Sequence, residues 1–454
     1  MFIILTDKVS HRLKYALEEI FVHRLKKTYI LTDDISQFQD NSSNVKIQYT
    51  SIYQSDLGGY WIQNNGFLYE TEIHLEFKPA FVTYTIEKND AFTDYINFIL
   101  NKFPSNQFTD AFFTTKHSAY FPCNGFMPFD IFSLVFWKLS RYEEYQNYKG
   151  DKLGRFIYSQ SLDAKNGIEP IPYIDIAIIY FANLLNIDLR EIWRLKHSPT
   201  VDIDIAYKFL GRNIIRTIFS TLKYPKFLKS RIKTFFTRND PYSWNNTVAQ
   251  KFKFVENLHV FWLCSEKTNT FNKQVKLDYK NLLKDIKTSN QNFSVGLHPS
   301  ANTGFTEWEK EKNWLENITG QKIYSSRQHF LILNLPETYQ SLISLELRED
   351  WSMGYSDNIG FRAATSFSFR WFDLKKDIPT PFLINPFCFM DVTLKNYLKF
   401  TSEQSLKSIN NLYDWISICG GVFCYILHNE SLSSDSEWKD WQNLFENTIN
   451  RGQN

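Results

Sequence analysis

Residues 198–207 read SPTVDIDIAY, with apolar side chains at 201, 203 and 205 alternating with Asp202 and Asp204. A period of two is the pattern of a strand with one polar and one apolar face. On such a strand two carboxylates two residues apart point to the same side, about 6.5–7 Å apart along the chain. That spacing lets one carboxylate hold a metal while its neighbour works as a base. The competing reading is a solvated acidic pair on a turn, and the apolar neighbours favour the strand.

Downstream of this stretch, short apolar runs alternate with helical patterns. The strand candidates are NLHVFWLC (257–264), NFSVGLH (292–298), SRQHFLIL (326–333), FLINPFC (382–388) and VFCYILH (422–428). Between them lie TEWEKEKNWLENIT, PETYQSLISLEL and SLKSINNLYDWISICG, which read as helices. Such alternation is what a βα-repeat barrel or an open parallel sheet requires, and both collect their chemistry at the C-terminal ends of strands. Polar residues stand at those ends. His298 closes VGLH before Pro299, and imidazole suits Zn²⁺ and related metals. Arg327 and His329 lie on one side of an extended SRQHFLIL, where a guanidinium could brace a carboxylate and an imidazole could complete a coordination sphere. His428 ends VFCYILH and is placed to act as a general acid. Taken singly, each histidine reads as well as a packed or solvent-facing side chain; the series at successive strand ends is the sharper signal.

Upstream, residues 1–195 read as a smaller α/β domain. A short strand at Phe2–Leu5 precedes a helix carrying Leu13, Leu17, Ile20 and Phe21. Strand-and-turn patterns follow in KIQYTSIY, GGYWIQNNGFLYE and FVTYTIEKND, and then helices in DIFSLVFWKLSRYEEYQNY and YIDIAIIYFANLLN. A chain of 454 residues exceeds the roughly 250–300 at which one core stops growing, so two domains are expected, 1–195 and 196–454. The second carries a basic insertion at about 206–239, with nine Lys or Arg from 208 to 238 and no Asp or Glu. Pro225 is expected to divide it into two helices. Its interleaved Phe, Ile and Leu suit contact with an anionic membrane or glycan, or an ordinary helix pair with solvated lysines.

A net charge of +2 gives no overall nucleic-acid signal. No apolar stretch reaches the roughly 18 residues of a membrane span, and MFIILTDK lacks the pattern of a signal peptide. A cytoplasmic setting, at most at the inner face of the membrane, is therefore expected. Five scattered cysteines without a CxxC pair point to thiols rather than to disulfides or a thiolate metal site.

Several stretches together resemble the polysaccharide deacetylase superfamily, in a bacterial branch with an extra N-terminal α/β domain. They are DIFSLVFWKLSRYEEY and DKLGRF, then PTVDID, DPYSW, VGLHPS, RQHFLILNLPETY, SMGYSDNIGFRAATSF, FLINPFCFMDVTL and LHNES. The resemblance implies a distorted seven-stranded (β/α) barrel and metal-dependent removal of N-acetyl groups from an oligo- or polysaccharide of the cell envelope or exopolysaccharide, or from its precursor. It implies that Asp202 and Asp204 are the base and the metal ligand. The family pair is adjacent and here Ile203 intervenes, so the division of roles stays open. His298 matches the first histidine of the second motif, but Asn302 stands where the family has another, and His329 is the candidate to replace it. Arg327, with Arg362 as competitor, is expected to brace the base, and His428 to protonate the departing amine. Asp350 and Trp351 are expected to line the substrate groove. The implied cofactor is a divalent metal, Zn²⁺ first, with Ni²⁺ or Co²⁺ as alternatives. Two further readings keep the scaffold but change its use: a non-catalytic carbohydrate-binding or assembly protein, and an O-acetyl esterase or glycosidase.

Overall fold

The computed structural model describes residues 1–40, 45–86, 90–103, 112, 115–212, 214–266, 269–433 and 437–451. They form two compact units of mixed α/β structure. One consists of Met1–Leu195, Gly360–Pro386 and Asn411–Val422; the other of Lys196–Ile359, Phe387–Asn410 and Phe423–Asn454.

The first unit opens with FIILT, all buried, as strand β1 (Phe2–Thr6). An unbroken apolar run suits the middle of a parallel sheet covered on both faces. β1 lies between β2 (Tyr29–Thr32) and β3 (Val45–Thr50), with β4 (Tyr60–Gln63) beyond β3, every pair parallel. The helix His11–Leu17 begins where the Ser10 hydroxyl accepts the Leu13 N–H, one of the donors a helix start leaves unpaired. Leu13, Leu17, Ile20 and Phe21 are fully buried, as their spacing predicts. β5 (Phe81–Tyr84) and β6 (His117–Tyr120) pair antiparallel. The helices Ile131–Leu139 and Tyr173–Leu184 are buried almost all round and form the centre of this unit.

The second unit is built on a parallel sheet. β7 (Lys196–Ile203), β8 (His259–Leu263), β9 (Ser294–His298), β10 (Ser325–Ser326) and β11 (Glu349–Met353) follow one another in space as in sequence. Helices Lys280–Asn292, Phe305–Thr319 and Glu337–Ser344 connect successive strands from β8 onward. Gly296 is required inside β9, because a Cβ there would meet the Phe261 ring at 2.5 Å and Ser325 Oγ at 2.6 Å. The strands β12 (Phe369–Asp373) and β13 (Ile378–Pro386) form an antiparallel hairpin within the first unit. β14 (Val422–His428) neighbours β7 on the side away from β8.

An irregular stretch links the outer strands of the second unit. The Phe387 N–H donates to the Met353 carbonyl at 3.2 Å, at the end of β11. The Cys388 N–H donates to the Cys424 carbonyl at 2.9 Å, and the Ile426 N–H to the Phe389 carbonyl at 3.0 Å. Met390 then bridges Ile426 in parallel.

Three expectations are corrected. SRQHFLIL is not a strand: β10 ends at Ser326, and His329–Leu331 form a tight 3₁₀ turn with Phe330 and Leu331 at positive φ. The stretch FLINPFC is split, its first five residues completing the antiparallel β13 and Phe387 and Cys388 bonding to β11 and β14. β11 was not among the expected strands, because EDWSM lacks a β-branched run. The basic insertion does divide at Pro225, into helices Ile214–Lys223 and Leu228–Thr237. All five cysteines are free. Among the described residues, no helix is long and apolar enough to cross a membrane.

Candidate functional site

β7 carries Asp202 one residue before its end and Asp204 one residue after it. His298 is the last residue of β9 and His428 the last of β14. Arg327 and His329 follow β10 directly. The C-terminal ends of β7, β9, β10 and β14 therefore bring six side chains, all in the second unit, together at one end of the sheet.

Asp202 is buried and paired. Arg327 Nη1 donates to its Oδ1 at 2.9 Å and to Thr200 Oγ1 at 2.6 Å, while Arg327 Nε donates to the Trp351 carbonyl at 2.9 Å. The guanidinium is fully buried and lies 4.6 Å from the Phe261 ring centroid. A planar fork fixed at three points holds the carboxylate in one orientation.

Asp204 is held differently. His298 Nε2 lies 3.1 Å from its Oδ1, His329 Nε2 3.4 Å from its Oδ2, and His428 Nε2 3.8 Å from Oδ2. The imidazoles are oriented from behind. His298 Nδ1–H donates to the Arg327 carbonyl at 2.6 Å, and His329 Nδ1–H to Asn272 Oδ1 at 3.1 Å. Asn272 is itself fixed, accepting the Ala301 N–H at 3.0 Å and donating to the Ala301 carbonyl at 3.1 Å. With Nδ1 occupied, each ring turns Nε2 toward Asp204. Carbonyl partners behind metal-binding histidines are the usual means of setting tautomer and aim.

Asp204, His298 and His329 each offer one ligand atom, all within 4.8 Å of one another. Asp204 Oδ1 is inaccessible to solvent and has no fixed donor of the kind that completes a structural carboxylate; His298 Nε2 lies 3.1 Å from it. A carboxylate whose two oxygens each face an imidazole nitrogen, Oδ1 that of His298 and Oδ2 that of His329, fits a divalent cation. The local charges point the same way. Burial would raise the Asp204 carboxyl, but His329, His298 and His428 hold it well below the usual carboxylate range. Burial keeps His329 below the ordinary imidazole range. For His298 burial acts downward too, yet Asp202 and Asp204 outweigh it and raise the ring. A cation would take the place of that proton.

His428 makes a separate pair. Its Nδ1 is 2.7 Å from Asp391 Oδ1, and its own N–H donates to Asp391 Oδ2 at 2.7 Å. The Ser431 hydroxyl also donates to Oδ2. Burial opposes charging this ring, but Asp391 raises it well above the ordinary imidazole range. The result is a proton donor whose Nε2 faces Asp204.

The remaining expected positions lie elsewhere. Asn302 is exposed, at φ +56° in the loop after β9, and makes no contribution to the ligand set. Arg362 belongs to the first unit, where Glu144 takes its Nε at 2.8 Å and Nη2 at 2.5 Å. Arg327 alone of the two braces Asp202. Asp350 is fully buried and accepts the Ser352 N–H and hydroxyl at 2.9 Å and the Ser326 hydroxyl at 3.1 Å. Burial pushes its carboxyl up to about 6. Trp351 is also buried, its ring 4.2 Å from that of His259. Neither residue opens onto a groove. The sequence reading missed Asp391, in FCFMDVTL, and Asn272, in the loop after β8. A lone Asp closing a strongly apolar run was the one available signal for the former.

The comparisons with known proteins are sparse. Residues 2–189 match a family model described as a family of unknown function, DUF7033. No curated protein matches the chain. Solved structures with loose similarity include a protein assigned to the polysaccharide deacetylases from Mycobacterium smegmatis, at 10% identity and a TM-score of 0.36, covering 57% of this chain and 83% of that one. Another is assigned to the same class from Pseudomonas aeruginosa PAO1, at 11% identity and a TM-score of 0.37, covering 65% and 92%. A third is the 4-alpha-glucanotransferase from Thermococcus litoralis, at 10% identity and a TM-score of 0.33, covering 57% and 37%. At these scores the likeness carries no functional argument, and the site must be read from its own residues.

Proposed function

We propose that this chain is a metal-dependent hydrolase that removes N-acetyl groups from a cell-envelope glycan, exopolysaccharide or precursor. The observation that carries the reading is the division of labour around Asp204: a carboxylate without a fixed donor and two aimed imidazoles on one side, a braced carboxylate and a charged imidazole on the others. Asp204, His298 and His329 would hold the ion. Zn²⁺ suits a mixed nitrogen and oxygen set, with Ni²⁺ or Co²⁺ as alternatives, and when bound it supplies Lewis-acid polarisation and acidifies water.

The protein's own groups then divide the proton transfers. Asp202, its Oδ1 fixed by Arg327, accepts on Oδ2 the proton of the attacking water as the new C–O bond forms. His428, charged through Asp391, donates from Nε2 to the amine nitrogen as the C–N bond breaks. The products are acetate and a free amino sugar. This assigns the base to Asp202 and the ligand role to Asp204.

The substrate class rests on the sequence resemblance, and one feature of the rim suits it. Phe330 is 37% exposed and stacks on His329 with ring centroids 4.3 Å apart, an apolar face of the kind that packs against a sugar ring. The bonds of 387–390 to β11 and β14 support the reading of a distorted seven-stranded barrel, with that stretch as the irregular member.

The test is acetate release from chitooligosaccharides and N-acetylated exopolysaccharide by the zinc-loaded protein, beside Asp202→Asn. Release by the parent and its loss in the variant support the reading. Metal binding with no release of acetate from N- or O-acetylated glycans would leave a carbohydrate-binding protein in its place.

A further inference from the structure

The helices Ile214–Lys223 and Leu228–Thr237 leave the core directly after β7 and carry a surface that the hydrolase reading does not use. Their base is tied down. The Asp240 carboxylate accepts the N–H groups of Lys208, Phe209 and Leu210 at 2.8, 2.8 and 3.0 Å, joining the start of the excursion to its end.

In the second helix, Leu228, Ile232, Phe235 and Phe236 occupy positions i, i+4, i+7 and i+8, which fall on one stripe. All four are exposed, Phe235 by 61% and Phe236 by 79%. Thr234 is the helix's buried residue, and it lies on the opposite face. The helix thus turns its apolar stripe to solvent, the reverse of an ordinary surface helix, while Arg231 bonds to Ser220 and lies over the Phe209 ring. Ile218 and Leu222, one turn apart in the first helix, are exposed by 56% and 74%. Scattered exposed apolar residues are normal, but two exposed pairs and a Phe–Phe contact within nineteen residues form a patch.

The charge around the patch is of one sign. From 206 to 239 there are nine Lys or Arg and no carboxylate, against a net charge of only +2 for the chain. On the helical projection Lys229 and Lys233 border one side of the stripe and Arg231 the other. A soluble polyanion would satisfy the cations but leave Phe235 and Phe236 in water. An apolar protein groove would bury the rings but strand the lysines. An anionic lipid surface satisfies both at once, with acyl chains for the rings and headgroups for the ammonium groups.

We infer that the helix pair 214–237 is a peripheral docking surface for anionic lipid bilayers. Hydrophobic insertion and charge attraction act together, so removal of either weakens binding. The inference rests on these helices alone and stands or falls independently of the hydrolase chemistry.

The experiment is co-sedimentation of the full chain with vesicles of phosphatidylcholine alone and of phosphatidylcholine mixed with phosphatidylglycerol. The protein is expected to sediment with the mixed vesicles and to be released by salt. Phe235→Ser with Phe236→Ser, and separately Lys229→Gln with Lys233→Gln, should each weaken partitioning by about tenfold or more. Both variants change exposed side chains, and unchanged melting curves show that they fold. No binding to the mixed vesicles, equal binding to both kinds, or undiminished binding by both variants would overturn the inference. So would binding to soluble dextran sulfate without binding to vesicles.

Discussion

Asp175 and Asp204 are both carboxylates beside cationic or imidazole side chains, one in each unit, and their surroundings differ in kind: Asp175 is 2% exposed and Asp204 25%. Asp175 is surrounded by donors: Arg24 at 2.9 Å, the Thr365 hydroxyl at 2.6 Å, and the Ser366 N–H and hydroxyl at 2.8 and 2.7 Å. Asp163, with Lys138, Tyr120 and Tyr173 around it, repeats that arrangement in the same unit. Asp204 has three imidazole nitrogens within 3.8 Å and no fixed donor of that kind. Burial of a charge therefore does not mark function by itself. A carboxylate completed by fixed donors is finished as a structural element, whereas one grouped with imidazole nitrogens from two other strand ends offers a ligand set for a cation.

The widest separation between the two should appear on substitution. Asp204→Asn is expected to abolish metal binding and acetate release while leaving the melting temperature of the metal-free protein unchanged or higher. Asp175→Asn should retain the metal but lose about 3–5 kcal/mol of stability, because the buried Arg24 is left without its counter-charge. Thermal melts with metal analysis on both variants check this, and equal destabilisation would erase the distinction.

Next in size is Asp202→Asn, which should keep the metal and lower turnover by about 10²–10⁴. A variant that loses its metal instead would exchange the roles of the two aspartates. Asp391→Asn should lower turnover less and change its pH dependence. The raised pKa of His428 keeps the acid charged to higher pH, so removing the carboxylate moves the basic limb of the profile to lower pH. Stability linked to this pair is full below the ordinary imidazole pKa and is lost as pH rises through the elevated value. An unmoved basic limb would exclude His428 as the acid.

Asn272→Ala should weaken metal affinity by about 10–100-fold without touching a ligand, read by competition with a chelator. The smallest effect on the site is expected at Asn302, where replacement by Ala should leave affinity and turnover unchanged while costing about 1 kcal/mol of stability, because Asn tolerates the left-handed φ of +56° better than Ala. A measurable loss of metal there would restore the position to the ligand set.

What was legible in the sequence follows from periodicity. Asp202, His298 and His428 stand at or near the ends of apolar runs of strand length, so a period of two and the strand-end rule located them. His329 was found for an inexact reason. It was placed on a strand beside Arg327, whereas the chain turns immediately after β10 and sends the guanidinium to Asp202 and the imidazole to Asp204. The turn depends on positive φ at Phe330 and Leu331, residue types that do not announce it. Asn272 comes from an irregular loop, and Asp391 meets His428 across 37 residues of sequence. Neither has a local pattern, because each meets its ring from an element distant in sequence. The choice between Arg327 and Arg362 was equally undecidable from spacing, since only Glu144 and Arg141 in the first unit show where Arg362 is used. The return of 360–386 and 411–422 to the first unit had no compositional boundary to reveal it.

The most direct test of the central claim is the metal content per chain of protein purified without added metal, with His298→Ala and His329→Ala alongside. Near-stoichiometric zinc, nickel or cobalt in the parent, lost or strongly reduced in both variants, is the predicted result. A parent that takes up no divalent metal even after incubation with zinc, or variants that retain it in full, would contradict the assignment of Asp204, His298 and His329 as the metal-holding group.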